Sequence, residues 1–161
     1  MSLTIRRARS DEVPVVTSLI RELADYEKLS NEVEATEAMI ADALFTKEPR
    51  VFCEIAEWNG EVAAFAVWFL NFSTFSGRFG IYLEDLFVRP HLRGNGIGKA
   101  LLVHLAKTCV ENGWVRLQWT VLDWNTPSIE FYKSLGAVMM DEWKLCRING
   151  AALAQLAKAK P

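Results

Sequence analysis

Alternating apolar and polar positions predict strands in the first half of the chain. Leu3 to Arg9 alternates enough for a first strand. Val51 to Trp58 and Glu61 to Phe72 are strand-like runs joined by Asn59-Gly60, a dipeptide typical of a two-residue hairpin. Tyr82 to Val88 carries apolar residues on both faces, as a central strand does. The pattern therefore predicts antiparallel pairing early in the chain.

Segments with apolar residues at helical spacing lie between these strands and after them. They predict helices from Ser10 to near Lys28, Thr36 to Phe45, Ile97 to a stop at Gly113, and Thr126 to a stop at Gly136. Shorter elements are predicted at Arg116–Val121, Val138–Met140 and Trp143–Ile148 as strands, and from Asn149 as a helix. A Rossmann-type chain alternates single strands with helices, so antiparallel strands argue against it. The prediction is an α/β fold with a mixed, mostly antiparallel sheet flanked by helices.

Length and composition limit the function classes. The 161 residues fit a single domain, residues 1–161. A net charge of −2 and scattered Lys and Arg give no basic surface for nucleic acid. The longest apolar run, Val62 to Leu70, is far shorter than the ~20 residues that span a bilayer. No signal-peptide pattern follows Met1, so we expect a cytoplasmic protein without membrane or nucleic-acid partners.

Cysteines and histidines give little reason to expect a metal or a disulfide. Cys53, Cys109 and Cys146 are widely spaced in apolar patterns, unlike a disulfide framework. His91 and His104 lack the spacing of a zinc site, and we expect no metal.

A glycine-rich hexapeptide, Arg93 to Gly98, lies between a strand pattern and a helix pattern. Its glycines let backbone amides turn towards an anion, and the following helix adds its positive N-terminal end. The triphosphate loop is excluded, because Arg93 occupies the required first glycine position and Ala100 replaces the hydroxyl residue. The dinucleotide fingerprint also fits poorly, since the spacing is Gly-x-Gly-x-Gly and Arg89 to Arg93 separate it from the strand.

The pattern Arg-x-x-Gly-x-Gly, at Arg93, Gly96 and Gly98, resembles the pyrophosphate loop of the GNAT superfamily of acyl-CoA-dependent N-acyltransferases. Its flanks resemble the spermidine/spermine and thialysine N-acetyltransferase branch. The segments that carry this resemblance are Arg21–Glu27, Tyr82–Pro90 and Trp124–Lys133. Phe72–Arg78 and Val121–Asn125 are more similar to the thialysine-type members. The resemblance implies a GNAT fold, acetyl-CoA as cofactor and a homodimer.

Acetyl transfer to an amine needs a proton acceptor and a proton donor, since amines arrive protonated and the thiolate must leave. Glu84, on the strand beside the loop, is a candidate acceptor; burial makes carboxylates there costly, and the family resemblance supports this role. Tyr132, in the middle of a predicted helix, is the candidate acid, as the resemblance also implies. Asp85 is expected on the opposite face in a structural role.

The resemblance also implies the binding residues. Cofactor contacts fall on backbone groups of Leu86 and Val88, on Arg93, on the amides from Gly94 through Asn95, Gly96, Ile97 and Gly98 to Lys99, and on Asn125, Ser128 and Lys133. Tyr26, Glu27, Glu84 and Trp124 are candidates for the amine pocket, because aromatic faces and carboxylates attract ammonium groups.

Together these features predict direct acetyl transfer to the primary amine of a small cationic substrate, a thialysine-like amino acid or a diamine or polyamine. Two alternatives stay open: an acetyltransferase of protein or peptide amines, and a CoA-binding sensor without catalysis.

Overall fold

The computed structural model describes residues 1–159, which form two compact units, residues 1–125 and the residues from 126 onward. Within residues 1–159, no helix is both long and apolar enough to cross a membrane.

The first unit is built on a five-stranded sheet in the order β1-β2-β3-β4-β5. The strands are β1 Leu3–Arg7, β2 Phe52–Trp58, β3 Glu61–Ser73, β4 Arg78–Val88 and β5 Leu117–Gln118. Neighbours from β1 to β4 pair antiparallel, and β5 pairs parallel to β4. The predicted mixed, mostly antiparallel sheet is confirmed.

Three helices belong to this unit: α1 Val13–Tyr26, α2 Glu37–Leu44 and α3 Ile97–Glu111. Thr36 caps α2, its hydroxyl accepting from the Met39 amide at 3.3 Å, as a threonine at this position commonly does. Short 3₁₀ turns precede α1 at Ser10–Glu12, follow it at Ser30–Glu32, and follow β4 at Pro90–Leu92.

The hairpin between β2 and β3 forms where the sequence predicts it. Asn59 and Gly60 have φ values of 51° and 84°, the positive values that a two-residue hairpin turn of this kind requires. The turn sets the register of Phe52–Trp58 against the first half of β3.

The core of the unit lies between the sheet and α1. Leu19 on the helix and Ile55, Phe65 and Phe87 on three adjacent strands are 0–3% exposed and belong to one cluster. Burying such side chains contributes roughly 1.5–3 kcal/mol each. Packing of this apolar helix face therefore holds the C-terminal end of α1 near the end of β4, which matters for the site.

The second unit contains α4 Thr126–Ser134 and α5 Gly150–Leu156. The predicted stop at Gly136 is confirmed: its φ is 92°, and the Ala137 amide bonds to the Tyr132 carbonyl at 3.1 Å, closing the helix as a C-terminal glycine commonly does. The helix predicted from Asn149 is also present as α5.

Three strand predictions in the second half need correction. Arg116–Val121 shortens to the two residues of β5, and the predicted strands at Val138–Met140 and Trp143–Ile148 do not form within the described residues. Val138 and Trp143 are 77% and 74% exposed. Alternating apolar residues are typical of strands, but a strand also requires a neighbouring strand with which its backbone can form hydrogen bonds.

An ion-pair network joins β1, β2 and the turn before α1. Arg6 donates to both carboxylate oxygens of Glu12 at 2.8 and 2.6 Å and also pairs with Glu57. The Arg9 amide donates to Glu12 at 2.8 Å. The hydrogen bonds from Arg6 are the main cause that lowers the pKa of Glu12 to about 2, although burial acts in the opposite direction.

This depressed pKa predicts sensitivity to acid. The carboxylate of Glu12 stabilises the fold above its ordinary pKa of 4.5, and that stabilisation disappears as the pH falls through the folded value. We expect the free energy of unfolding to drop by about 3 kcal/mol below pH 5 from this group. In urea titrations, Glu12→Gln should be less stable at pH 7 and should lose less on acidification than the unsubstituted protein. Glu34→Gln, at an exposed loop position, is the control; equal pH dependence in both variants would contradict the assignment.

Candidate active site

A β-bulge interrupts β4 at the carboxylates. Val67 of β3 pairs with Asp85, but the next residue, Trp68, pairs with Leu83, so Glu84 is an extra residue on β4. Glu84 is exposed and Asp85 is half-buried. The sequence predicted regular alternation, with both carboxylates as buried residues of a central strand. For Glu84 this prediction was wrong, because the bulge places its side chain at the surface.

The bulge also changes which backbone groups of β4 face β5. Before it, the Ile81 amide donates to Arg116 beside β5 at 2.9 Å. After it, the Arg89 amide donates in the opposite direction, to Ala63 of β3 at 2.9 Å. Ile81 and Arg89 would face the same side in a regular strand, because orientation alternates. The extra residue therefore turns the N–H and C=O groups of Leu86 and Val88 away from β3.

These groups face an open edge. Pairing between β4 and β5 covers only Ile81 with Leu117 and Tyr82 with Gln118, and within residues 1–159 it does not continue further along β4. The two strands approach closely at Gly80, where an added Cβ would lie 2.8 Å from the Arg116 carbonyl oxygen. Beyond Tyr82, β4 continues without β5, and its second half offers backbone hydrogen-bonding groups to a ligand.

Negative charge is concentrated at the bulge. Burial is the first cause that raises the pKa of Asp85 to about 7, and the charges of Glu84 and Glu27 raise it further. Burial also raises the pKa of Glu27, which directly follows α1. A carboxyl group that titrates near neutral pH can both accept and release a proton there. The expected structural role of Asp85 rested on strict alternation, which the bulge interrupts, so Asp85 is a further candidate for the site.

The glycine-rich loop leads from β4 into α3. Gly94 and Gly96 have φ values of 83° and 76°, and Gly96 is the N-cap of the helix. The first helical bond runs from the Ala100 amide to the Gly96 carbonyl at 2.9 Å. The amides of Ile97, Gly98 and Lys99 precede this bond and have no acceptor within the helix. Such a helix start, preceded by glycines with positive φ, suits an anion.

The side chain of Arg93 lies back against the end of α1. Its guanidinium carbon is 4.5 Å from the Tyr26 ring centre and 5.6 Å from that of Phe87. Its Nε donates to the Val88 carbonyl oxygen at 2.9 Å. Arg93 therefore connects the open edge of β4 to an aromatic face on α1.

Tyr26 is the centre of a further set of contacts. Its hydroxyl donates to Oδ1 of Asn125 at 3.2 Å, and its ring centre is 6.3 Å from that of Trp124. The Lys28 ammonium lies 4.8 Å from the Trp124 ring centre. Asn125 is only 6% exposed. The structure thus brings together predicted residues from the C-terminal end of α1, the glycine-rich loop and the segment before α4.

The remaining predicted residues lie on α4. Ser128 and Tyr132 are four residues apart and therefore on the same face of the helix, and Tyr132 is 9% exposed. Lys133 is exposed and pairs with Glu130 at 3.6 Å.

Sequence reasoning gave no role to a second pair of residues. Arg89 and Glu22 form a two-bond ion pair between the end of β4 and α1. Both lie in the segments that carry the family resemblance, but a contact across 67 residues of chain has no local sequence signal.

Known proteins resemble the chain over almost its full length. The family model for the acetyltransferase (GNAT) family matches residues 16–137. Thialysine N-epsilon-acetyltransferase of Bos taurus is 37% identical, covering 95% of this chain and 96% of that protein. L-ornithine N5-acetyltransferase of Arabidopsis thaliana is 31% identical, covering 96% and 87% respectively.

Among solved structures, an integron cassette protein from the mobile metagenome of V. cholerae has a TM-score of 0.81 at 32% identity, with 99% of each chain covered. Its match extends the likeness from sequence to backbone. With the family model covering most of the chain and relatives above 30% identity over nearly all of it, the protein belongs to the GNAT acetyltransferase family and is an N-acetyltransferase.

Proposed function

We propose that this enzyme transfers an acetyl group from acetyl-CoA directly to the primary amine of a small cationic substrate, a thialysine-like amino acid or a diamine or polyamine. The relatives named for thialysine and for ornithine support this substrate class. The observation that carries the proposal is the carboxylate pair Glu84 and Asp85 at the bulge, beside the open edge of β4. This arrangement offers negative charge to an ammonium group and a proton acceptor to the amine.

Enzymes of this family in general use acetyl-CoA, and the residues present fit that cofactor. Leu86 and Val88 have backbone groups directed to the open edge, as the extended pantetheine arm requires, and the Val88 carbonyl oxygen among them accepts from Nε of Arg93. The amides from Gly94 to Lys99 and the cation of Arg93 are suited to its pyrophosphate. We assign these residues to the cofactor, with Asn125, Ser128 and Lys133 as further contacts on the basis of the family resemblance.

The amine pocket is assigned to Tyr26, Glu27, Trp124 and Glu84. Both aromatic rings already have a cation nearby, Arg93 at Tyr26 and Lys28 at Trp124. These contacts show that the ring faces attract positive groups, which supports ammonium binding beside them. The half-buried carboxyl of Glu27 adds attraction where solvent screening is reduced.

Bound acetyl-CoA supplies the activated acetyl thioester. Glu84 receives the proton of the attacking amine, directly or through water, and Asp85 shares that proton because its pKa is raised to about 7. Tyr132 donates a proton to the departing thiolate.

Direct transfer is supported by the state of the buried thiols. Burial raises the pKa of Cys53 to about 12 and also raises the pKa of Cys109. Both groups stay protonated at neutral pH and are poor nucleophiles.

We further propose that residues 1–161 function as one domain, that the enzyme is a cytoplasmic homodimer, and that it has no nucleic-acid partner. The homodimer rests on the resemblance to this branch of the family. Light scattering should give twice the chain mass of 18.2 kDa; the mass of a single chain would contradict it.

The substrate class can be tested with an acetyl-CoA turnover screen over thialysine, lysine, ornithine, diamines, spermidine and peptide amines, with product masses recorded. We expect the highest kcat/KM for a small amine that carries a second charged group. Turnover of peptide amines alone would favour a protein acetyltransferase. Tight CoA binding without any turnover would favour a sensor.

Tyr132→Phe tests the proton donor. The variant should lose roughly 10²-fold or more in kcat, while folding and the Kd for CoA stay nearly unchanged, because only the hydroxyl is removed. Tyr82→Phe, which removes a phenol from β4 outside the assigned site, is the matched control. Equal turnover of Tyr132→Phe and the control would exclude Tyr132 as the acid.

The carboxylate pair can be tested by the pH dependence of kcat/KM. A raised pKa leaves Asp85 protonated below about pH 7, so activity should rise through that pH as the proton leaves. Glu84→Gln should lower kcat/KM by roughly 10²-fold and move this limb to lower pH, because a like charge is removed. Asp85→Asn should abolish the limb. A limb that keeps its position in both variants would contradict the shared-proton assignment.

A further inference from the structure

The ion pair between Glu22 and Arg89 has no part in the chemistry proposed above. Arg89 donates from Nε to Oε2 of Glu22 at 3.0 Å and from Nη2 to Oε1 at 2.9 Å. Its third donor, Nη1, bonds to the Val62 carbonyl oxygen at 2.8 Å. The side chains are only 23% and 33% exposed. Two parallel bonds from a planar guanidinium fix orientation as well as distance.

On the helix side, the pair fixes the face of α1 that carries Tyr26. Glu22 and Tyr26 are four residues apart, so they lie one above the other on the same helix face. A rotation or shift of α1 that broke the contact of Glu22 with Arg89 would also move Tyr26.

On the strand side, the pair fixes the start of the segment that leads to Arg93. Arg89 is the first residue after β4, and its amide is bonded to Ala63 of β3 at 2.9 Å. Pro90–Leu92 follow as a 3₁₀ turn and end at Arg93. Arg89 therefore holds α1 to the point where the strand becomes the loop.

The two sides meet again at Arg93, whose guanidinium lies 4.5 Å from the Tyr26 ring centre and whose Nε bonds to the Val88 carbonyl. This contact depends on the position of α1 relative to the end of β4, to which the Arg89–Glu22 pair adds a directional link beside the core packing. We infer that Arg89 and Glu22 are a positioning pair that holds the cofactor loop in its binding geometry by locking α1 to the end of β4. The inference rests on the proposed function, because it takes the loop to be the CoA site.

Arg89→Lys and Glu22→Gln test the pair. The first keeps the positive charge but loses the two-bond geometry, and the second keeps the shape but loses the negative charge. Calorimetry with CoA alone should show a Kd raised about tenfold in each variant, from displacement of the loop. Steady-state kinetics should show a similar rise in the KM for acetyl-CoA, with kcat within about twofold of the unsubstituted enzyme.

Glu61→Gln is the matched control. It removes another polar contact at the same end of the sheet, between the Glu61 carboxylate and Nε2 of His91 in the Pro90–Leu92 turn at 2.9 Å, in which both side chains are exposed and neither belongs to α1. Its Kd for CoA should stay unchanged. A rise equal to that of Glu22→Gln would overturn the inference, since loss of any carboxylate contact near the turn would then be sufficient.

A lowered melting temperature with an unchanged Kd in Arg89→Lys and Glu22→Gln would also overturn the inference, leaving the pair a structural role only.

A double-mutant cycle of Glu22→Gln with Arg93→Gln should be non-additive in the Kd, because the pair acts through the placement of Arg93. Additive effects would contradict that route. Failure of the unsubstituted protein to bind CoA would instead overturn the cofactor proposal, and the inference with it.

Discussion

The extra residue in β4 is the constraint on which the site depends. A regular strand would direct the backbone groups of Leu86 and Val88 towards β3, where they would be used in the sheet. With Glu84 inserted, the same strand satisfies β3 and still presents hydrogen-bonding groups on its other side. The one insertion also brings a carboxylate to the surface beside that edge. The bulge thus produces both the open edge of β4 and the exposed acidic group beside it.

Three arginines of the first unit have defined partners. Arg93 packs on the Tyr26 ring. Arg89 forms hydrogen bonds with Glu22 and Val62, and Arg6 forms hydrogen bonds with Glu12 and Glu57. Within the described residues, no buried polar side-chain atom is left without a hydrogen-bond partner. Asp85 differs from the partnered groups, because its neighbours Glu84 and Glu27 have the same sign of charge and burial disfavours its ionised form. A carboxyl group whose ionisation is disfavoured is a natural place for proton exchange.

Local chemistry explains how much of the fold the sequence could predict. Asn59-Gly60 and Gly136 occupy backbone conformations that few other residues tolerate, so their turns could be located directly. The bulge could not, because it is a property of pairing between β3 and β4, and no residue from Leu83 to Phe87 marks the position of an extra residue. The strand predictions between Val138 and Ile148 were wrong for a related reason. The apolar residues there indicate strands, but whether strands form depends on a neighbouring strand. For the site, residue types and spacing predicted the loop and the candidate residues, whereas the contacts of Arg93 with Tyr26 and of Arg89 with Glu22 join distant parts of the chain.

Gly80 is what allows the short pairing of β4 with β5. A Cβ on residue 80 would lie 2.8 Å from the carbonyl oxygen of Arg116 and 2.6 Å from its Cγ, closer than such atoms normally approach. The paired residues, Ile81 with Leu117 and Tyr82 with Gln118, directly follow this contact. A side chain at residue 80 would therefore push Arg116 away from β4 and strain the pairing beyond which the edge of β4 is open. A missing side chain thus maintains the boundary of that edge.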